Sequence, residues 1–201
     1  MCEKLIEYTN TFNDGPEGWC SYDYHWSGFS NSNTFILGNW EKTGGVEESG
    51  FIWTDNTRWS ADTPEDPISI LPFLIYVNWI GLEPIDLREA EVSLYLRGDN
   101  LELDGAECYF WAVGEAECGR FHLNSNPLHI SNGVWADQPN SFKLINDHSK
   151  WHRSWSKDVN KPPSLDYLLS RCISYGISFV GFRNEPKGRL SMDELTVKLK
   201  G

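Results

Sequence analysis

Five side chains on three neighbouring segments carry the most distinctive chemistry in this sequence. In Ala90 to Arg97, the residues Ala90, Val92, Leu94 and Leu96 fall on one strand face, and Glu91, Ser93, Tyr95 and Arg97 on the other. Cys108, Phe110 and Ala112 likewise oppose Tyr109, Trp111 and Val113, and Phe121 and Leu123 oppose Arg120 and His122. If these strands pair as a meander, Tyr95, Arg97, Trp111, Arg120 and His122 share one sheet face. Flat rings stack on the apolar C–H face of a pyranose, while guanidinium and imidazole groups meet its hydroxyls. Arg97 and Arg120 also have the fork geometry that clamps the carboxylate of an acidic sugar. The alternative is a covered face on which Trp111 is a core residue, since a one-residue bulge inverts the assignment.

A second cluster, Trp53, Asp55, Arg58, Trp59 and Asp62, reads either as a loop wall beside that face or as a self-packed loop in which Arg58 pairs with an aspartate. In Trp151-His152-Arg153-Ser154-Trp155, Trp151 reads as core and Trp155 as core or rim. The oxygen-rich candidates for a cation are Asp14 and Glu17 near the start and Asp193 and Glu194 near the end. Calcium takes several oxygens from loops, and distant chain ends meet where first and last strands are neighbours; the plain alternative is a set of solvated turn carboxylates.

The elements that must position these groups are short strands. Turn signals recur at Asn13-Asp14-Gly15-Pro16, Thr43-Gly44-Gly45, Arg97-Gly98-Asp99-Asn100, Asp104-Gly105, Asn132-Gly133 and Lys187-Gly188, with alternating segments between them. Leu195 to Leu199 reads as a final strand, and the nearly continuous apolar run Ile173 to Phe182 as a central one. One short helix is expected near 164–172, capped by Ser164, with Leu165, Leu168, Leu169 and Cys172 on one face. The polar stretch Asp55 to Pro67 reads as a long ordered loop. The expectation is an all-β, antiparallel jelly-roll β-sandwich, one domain over residues 1–201.

A formal net charge of -12 disfavours a nucleic-acid partner. The longest apolar stretch, Ile68 to Leu82, is broken by Pro72, Asn78 and Gly81, which argues against a membrane span. Ten Trp, eight Tyr and ten Phe exceed what a core of this size needs and favour an aromatic binding surface. No apolar leader follows Met1-Cys2-Glu3-Lys4, which reads as cytoplasmic, or as extracellular if the chain is an excised domain. The five cysteines lack a zinc spacing and read as free thiols; Cys108 and Cys118 are the pair that a hairpin would bring face to face.

Three motifs carry a family resemblance. Thr11 to Trp19 resembles the opening of galactose-binding-like domains, Val92 to Gly98 their middle strand, and Gly188 to Val197 their closing strand. The order is similar to that in carbohydrate-binding modules and the laminin-type sandwich domain. The resemblance implies a β-sandwich and, in many such modules, a structural calcium ion, here between Asp14 or Glu17 and Asp193.

The reading favoured is non-catalytic glycan binding through Tyr95, Arg97, Trp111, Arg120 and His122, with Arg58 and Trp59 alongside. A protein-interaction domain is the first alternative. A jelly-roll enzyme is the second: a hydrolase using paired carboxylates such as Glu115 and Glu117, or a lyase using His122, Tyr95, Arg97 and Arg120. No Gly-x-Ser-x-Gly elbow and no phosphate loop is present.

Overall fold

A computed structural model describes residues 6–22, 35–61, 67–115, 119–156, 158 and 160–200. Its strands are β1 (Ile6–Asn10), β2 (Cys20–Tyr22), β3 (Phe35–Leu37), β4 (Asn39–Glu41), β5 (Phe51–Asp55), β6 (Ser60–Ala61), β7 (Ser69–Tyr76), β8 (Glu91–Glu102), β9 (Glu107–Gly114), β10 (Gly119–His122), β11 (Ser131–Asn132), β12 (Asn140–Lys143), β13 (His152–Ser156), β14 (Cys172–Val180) and β15 (Lys187–Leu199). Among the described residues one α-helix, α1 (Leu165–Ser170), precedes β14.

The strands form two sheets. The first runs β11-β8-β15-β5-β4, with β1 on β15 and β12 on β8; the second runs β13-β10-β9-β14-β7-β2-β3, with β6 on β7. Pairing is antiparallel apart from β11 with β8. The closing strand joins the opening one, Ile6 opposite Leu199 and Asn10 opposite Leu195.

The core lies between the sheets because alternation supplies an apolar face on each. Val92, Leu94 and Leu96 of β8 and Leu190, Met192, Leu195 and Val197 of β15 meet Phe110 and Ala112 of β9, Phe73 and Ile75 of β7, and Tyr175, Ile177 and Phe179 of β14. Burying side chains of this size contributes about 1.5–3 kcal/mol each. Strand β14 is central, between β9 and β7, and turns Tyr175, Ile177 and Phe179 into the core and the small residues Ser174, Gly176 and Ser178 to the outer face. Pro72 is tolerated inside β7 because a bulge sets Leu71 and Pro72 against Ser178 alone. Helix α1 starts where Ser164 Oγ accepts from the Tyr167 N–H at 3.2 Å, and it buries Leu165, Leu168 and Leu169. Among the described residues no helix is long and apolar enough to cross a membrane.

Three expectations are corrected. The strands carrying Tyr95 and Trp111 do not pair: β8 lies in the first sheet and β9 in the second. The turn at Asp104-Gly105, with φ of 46° and 92°, carries the chain from one sheet to the other instead of closing a hairpin. Lys187-Gly188 forms the first two residues of β15, at a register shift, instead of a turn ahead of it. The stretch 55–67 contains β6, and residues 62–66, Asp62 included, lie outside the described residues.

The candidate site on the outer face of the second sheet

Register defines what the second sheet presents on the side away from the core. One row runs Cys20, Leu74, Gly176, Trp111, His122 and His152, each paired with the next. The adjacent row runs Tyr76, Ser174, Val113 and Arg120. Ser178 and Tyr109 form a third pair. Three of the expected ligand residues, Trp111, Arg120 and His122, therefore do share a face.

That face is not bare. Trp111 is 1% exposed and packs with Cys20, Leu71, Leu74 and Val113 in a second, smaller apolar cluster. It is thus not the open platform that alternation suggested. Its ring can lie flat because residue 176 is glycine: a Cβ there would strike the Phe73 carbonyl oxygen and reach Trp111 Cζ2 at 2.9 Å. The Arg120 guanidinium stands over the same ring, 4.8 Å from its centre. Trp111 Nε1 and Ser174 Oγ are both buried without a hydrogen-bond partner among the described residues. A buried, unsatisfied polar group costs about 1–3 kcal/mol, so such neighbours on one face call for a reason.

Among the described residues, a partly exposed aromatic beside this face is one that the sequence reading missed. Tyr76 ends β7 beside Ser174, and the following turn folds Trp79 against it, ring centres 4.6 Å apart at 39°. Trp79 is 38% exposed. The signal available was a pair of aromatics three apart at a strand end, just before Gly81, whose φ of 77° closes the turn.

His122 is 1% exposed, and both of its ring nitrogens are engaged. Nδ1 is 2.7 Å from Ser178 Oγ, and Nε2 is 2.7 Å from Ser154 Oγ. Burial, then the charges of Arg120 and His152, hold the imidazole well below its usual pKa and hence neutral at pH 7. Ser154 reaches it through a bulge: Arg120 pairs with Trp155 and Phe121 with Arg153, which leaves Ser154 unopposed. Tyr109 gives its hydroxyl to Glu107, and burial with that bond pushes the phenol up to about 12.

The other expected site residues lie elsewhere. Tyr95 and Arg97 are on the outer face of the first sheet, on the opposite side of the sandwich. There Arg97 stacks on Phe51 and Trp135 at 4.9 and 4.6 Å, and Arg189 on Trp53 at 4.2 Å. Asp99 sits 3.3 Å from Arg97 and 3.6 Å from Arg189, so this array satisfies itself. Trp59 is a core residue, 8% exposed, packed edge-on to Phe179 and donating to Thr54 Oγ1 at 2.8 Å. Arg58 turns from the site and donates to Asn39 Oδ1 at 2.7 Å.

The carboxylates expected to hold calcium do not assemble. Among the described residues no three His, Cys, Asp or Glu side chains gather in a metal-holding group. Asp193 is fully buried, and donors face it: Oδ2 accepts from the Val46 N–H at 2.7 Å and Ser49 Oγ at 2.8 Å, and Oδ1 from the Glu194 N–H at 2.7 Å. Glu17 accepts from Asn10 Nδ2 at 2.8 Å, and Asp14 is exposed. Three donors occupy the acceptor positions of Asp193, and no second and third carboxylate stand with it among the described residues, so this set does not fit the several oxygens that calcium takes. The thiols of Cys20, Cys108 and Cys172 are buried, Cys20 donating to the Leu74 carbonyl at 3.5 Å and Cys172 to the Ser174 carbonyl at 3.3 Å; Cys118 and Glu117 lie outside the described residues.

No protein-family model matches this sequence, and no curated protein matches it. Among solved structures, the chain is similar to a family 11 carbohydrate-binding module from Clostridium thermocellum, in complex with a beta-1,3-1,4-mixed-linked tetrasaccharide. The TM-score is 0.51 at 10% identity, over 95% of this chain and 94% of that one. The family 11 module of the cellulosomal cellulase Lic26A-Cel5E of the same organism aligns at 0.48 and 10% identity, over 98% and 96% of the two chains. The L4b domain of human laminin alpha-2 aligns at 0.35 and 7% identity, over 81% and 97%. The chain has the jelly-roll β-sandwich fold that carbohydrate-binding modules share.

Proposed function

We propose that this chain binds a glycan on the outer face of its second sheet. The observation that carries the reading is the pair of buried, unpartnered polar groups, Trp111 Nε1 and Ser174 Oγ, behind the half-open Tyr76–Trp79 pair. A sugar stacked on Trp79 presents hydroxyls that accept from an indole N–H and exchange hydrogen bonds with a serine. Arg120 adds a planar donor fork beside them. The solved complex of a similar fold with a tetrasaccharide supports this choice of ligand class.

Cleavage of glycosidic bonds fits less well. A hydrolase needs two carboxylates roughly 5–10 Å apart across a groove. Here Glu107 is committed to Tyr109 and Glu115 to Arg171. The proposed lyase set is divided, since Tyr95 and Arg97 lie on the far side of the molecule from His122.

The test is a panel of neutral and acidic oligosaccharides followed by Trp fluorescence, on the wild type and on Trp79→Ala. Loss of a stacking ring costs about 1–3 kcal/mol, or roughly 5- to 150-fold in Kd. A panel without any ligand, or a Trp79→Ala affinity equal to wild type, overturns the reading.

A further inference from the structure

The structure assigns a second capability to residues that the glycan reading does not use: Ser154, His122 and Ser178 form a nucleophile, base and orienting group for transfer of a small acyl ester. The three stand in line on the outer face of the second sheet, on β13, β10 and β14.

The direction of each hydrogen bond follows from the chain of donors. Ser178 Oγ lies 3.4 Å from the Tyr109 carbonyl and gives its proton there. Its lone pair is then left for His122 Nδ1–H at 2.7 Å. In that tautomer Nε2 carries a lone pair and accepts from the Ser154 hydroxyl at 2.7 Å. A serine polarised by a neutral imidazole, itself held from behind, is the arrangement that acyl transfer requires. Exposure is also graded correctly: Ser154 is partly open and His122 is sealed behind it. The bulge in β13 that leaves Ser154 unopposed is a device that re-aims a side chain at the cost of one ladder pair.

The step is redox-neutral. Ser154 Oγ bonds to the ester carbonyl carbon while its proton passes to His122 Nε2. The carbonyl carbon then releases the alcohol oxygen, which takes that proton. Water attacks the acyl-serine by the same path, returns the serine hydroxyl and leaves a carboxylic acid. Arg120, two positions along the same strand face, supplies a fixed positive charge nearby. Ser178 is a weaker partner than the carboxylate of a full triad, whose loss costs about 10⁴-fold in kcat. Turnover is therefore slow, and acylation is the readable event.

The substrate class is a short-chain ester; if the glycan reading holds, an O-acylated sugar hydroxyl is its natural form. The probe is p-nitrophenyl acetate, added to the full chain. The expected result is a burst of about one p-nitrophenolate per chain, with acetyl mapped by peptide mass spectrometry to Ser154 and absent from Ser154→Ala. The burst rate falls as acid protonates His122. The variant leaves His122 Nε2 unpaired and melts roughly 2–10 °C lower while still folding, and its glycan titration is unchanged because the ring platform and donors are elsewhere. No burst, or the same burst and acetyl pattern in folded Ser154→Ala, overturns the assignment and leaves the glycan reading standing.

Discussion

Trp111 and Trp79 differ in burial, and the difference sets what each substitution does. Trp111→Phe keeps a ring over Gly176 but deletes a buried N–H that lacks a partner. Stability then holds or rises by up to about 1 kcal/mol, while glycan affinity drops by roughly five-fold as one hydrogen bond is lost. Paired urea melts and fluorescence titrations read both quantities. Asp193 gives a residue-scale pH signature. Burial pushes its carboxyl from 3.8 up to about 6, outweighing the three donors around it. The folded state keeps this proton between about pH 4 and 6, where the unfolded chain has released it. Stability therefore falls as pH rises through that window, by up to about 3 kcal/mol. Urea melts of wild type and Asp193→Asn between these limits check it: the variant lacks this component of the slope.

At the scale of elements, the second sheet depends on close approach at Gly176. Gly176→Ala drives a methyl group into the β7 backbone and the Trp111 ring, and costs about 1–3 kcal/mol of stability. A reduced urea midpoint with unchanged slope is the expected measurement. The strands themselves were legible: β8, β9 and β10 fall where alternation put them, β14 is central, and α1 is capped by Ser164. Local pattern gives the parity of side chains along a strand, but it does not say which sheet the strand joins. Asp104-Gly105 reads the same whether it closes a hairpin or crosses the sandwich, so Tyr95 and Arg97 were assigned to the wrong neighbours. Parity also cannot tell an open outer face from a covered one, and Trp111 is covered. Ser154 and Ser178 had no signal at all, because their roles arise from a bulge and from pairing across β9.

For the whole molecule, the net charge of -12 acts against anionic ligands and favours neutral ones. Affinity for a neutral oligosaccharide then changes little between low and high salt, whereas an acidic one binds more tightly as salt screens the repulsion. Because donors surround Asp193, treatment with a chelator leaves the melting temperature unchanged, and a fall on chelation contradicts that account. The most direct test of the ligand face uses the indole N–H resonances of the ten tryptophans in a ¹⁵N-labelled sample titrated with the oligosaccharide that binds. The signals of Trp79 and Trp111 shift, while Trp53 and Trp135 on the opposite face and Trp19 and Trp59 in the core stay in place. Shifts confined to Trp53 and Trp135, with Trp79 and Trp111 still, contradict the account.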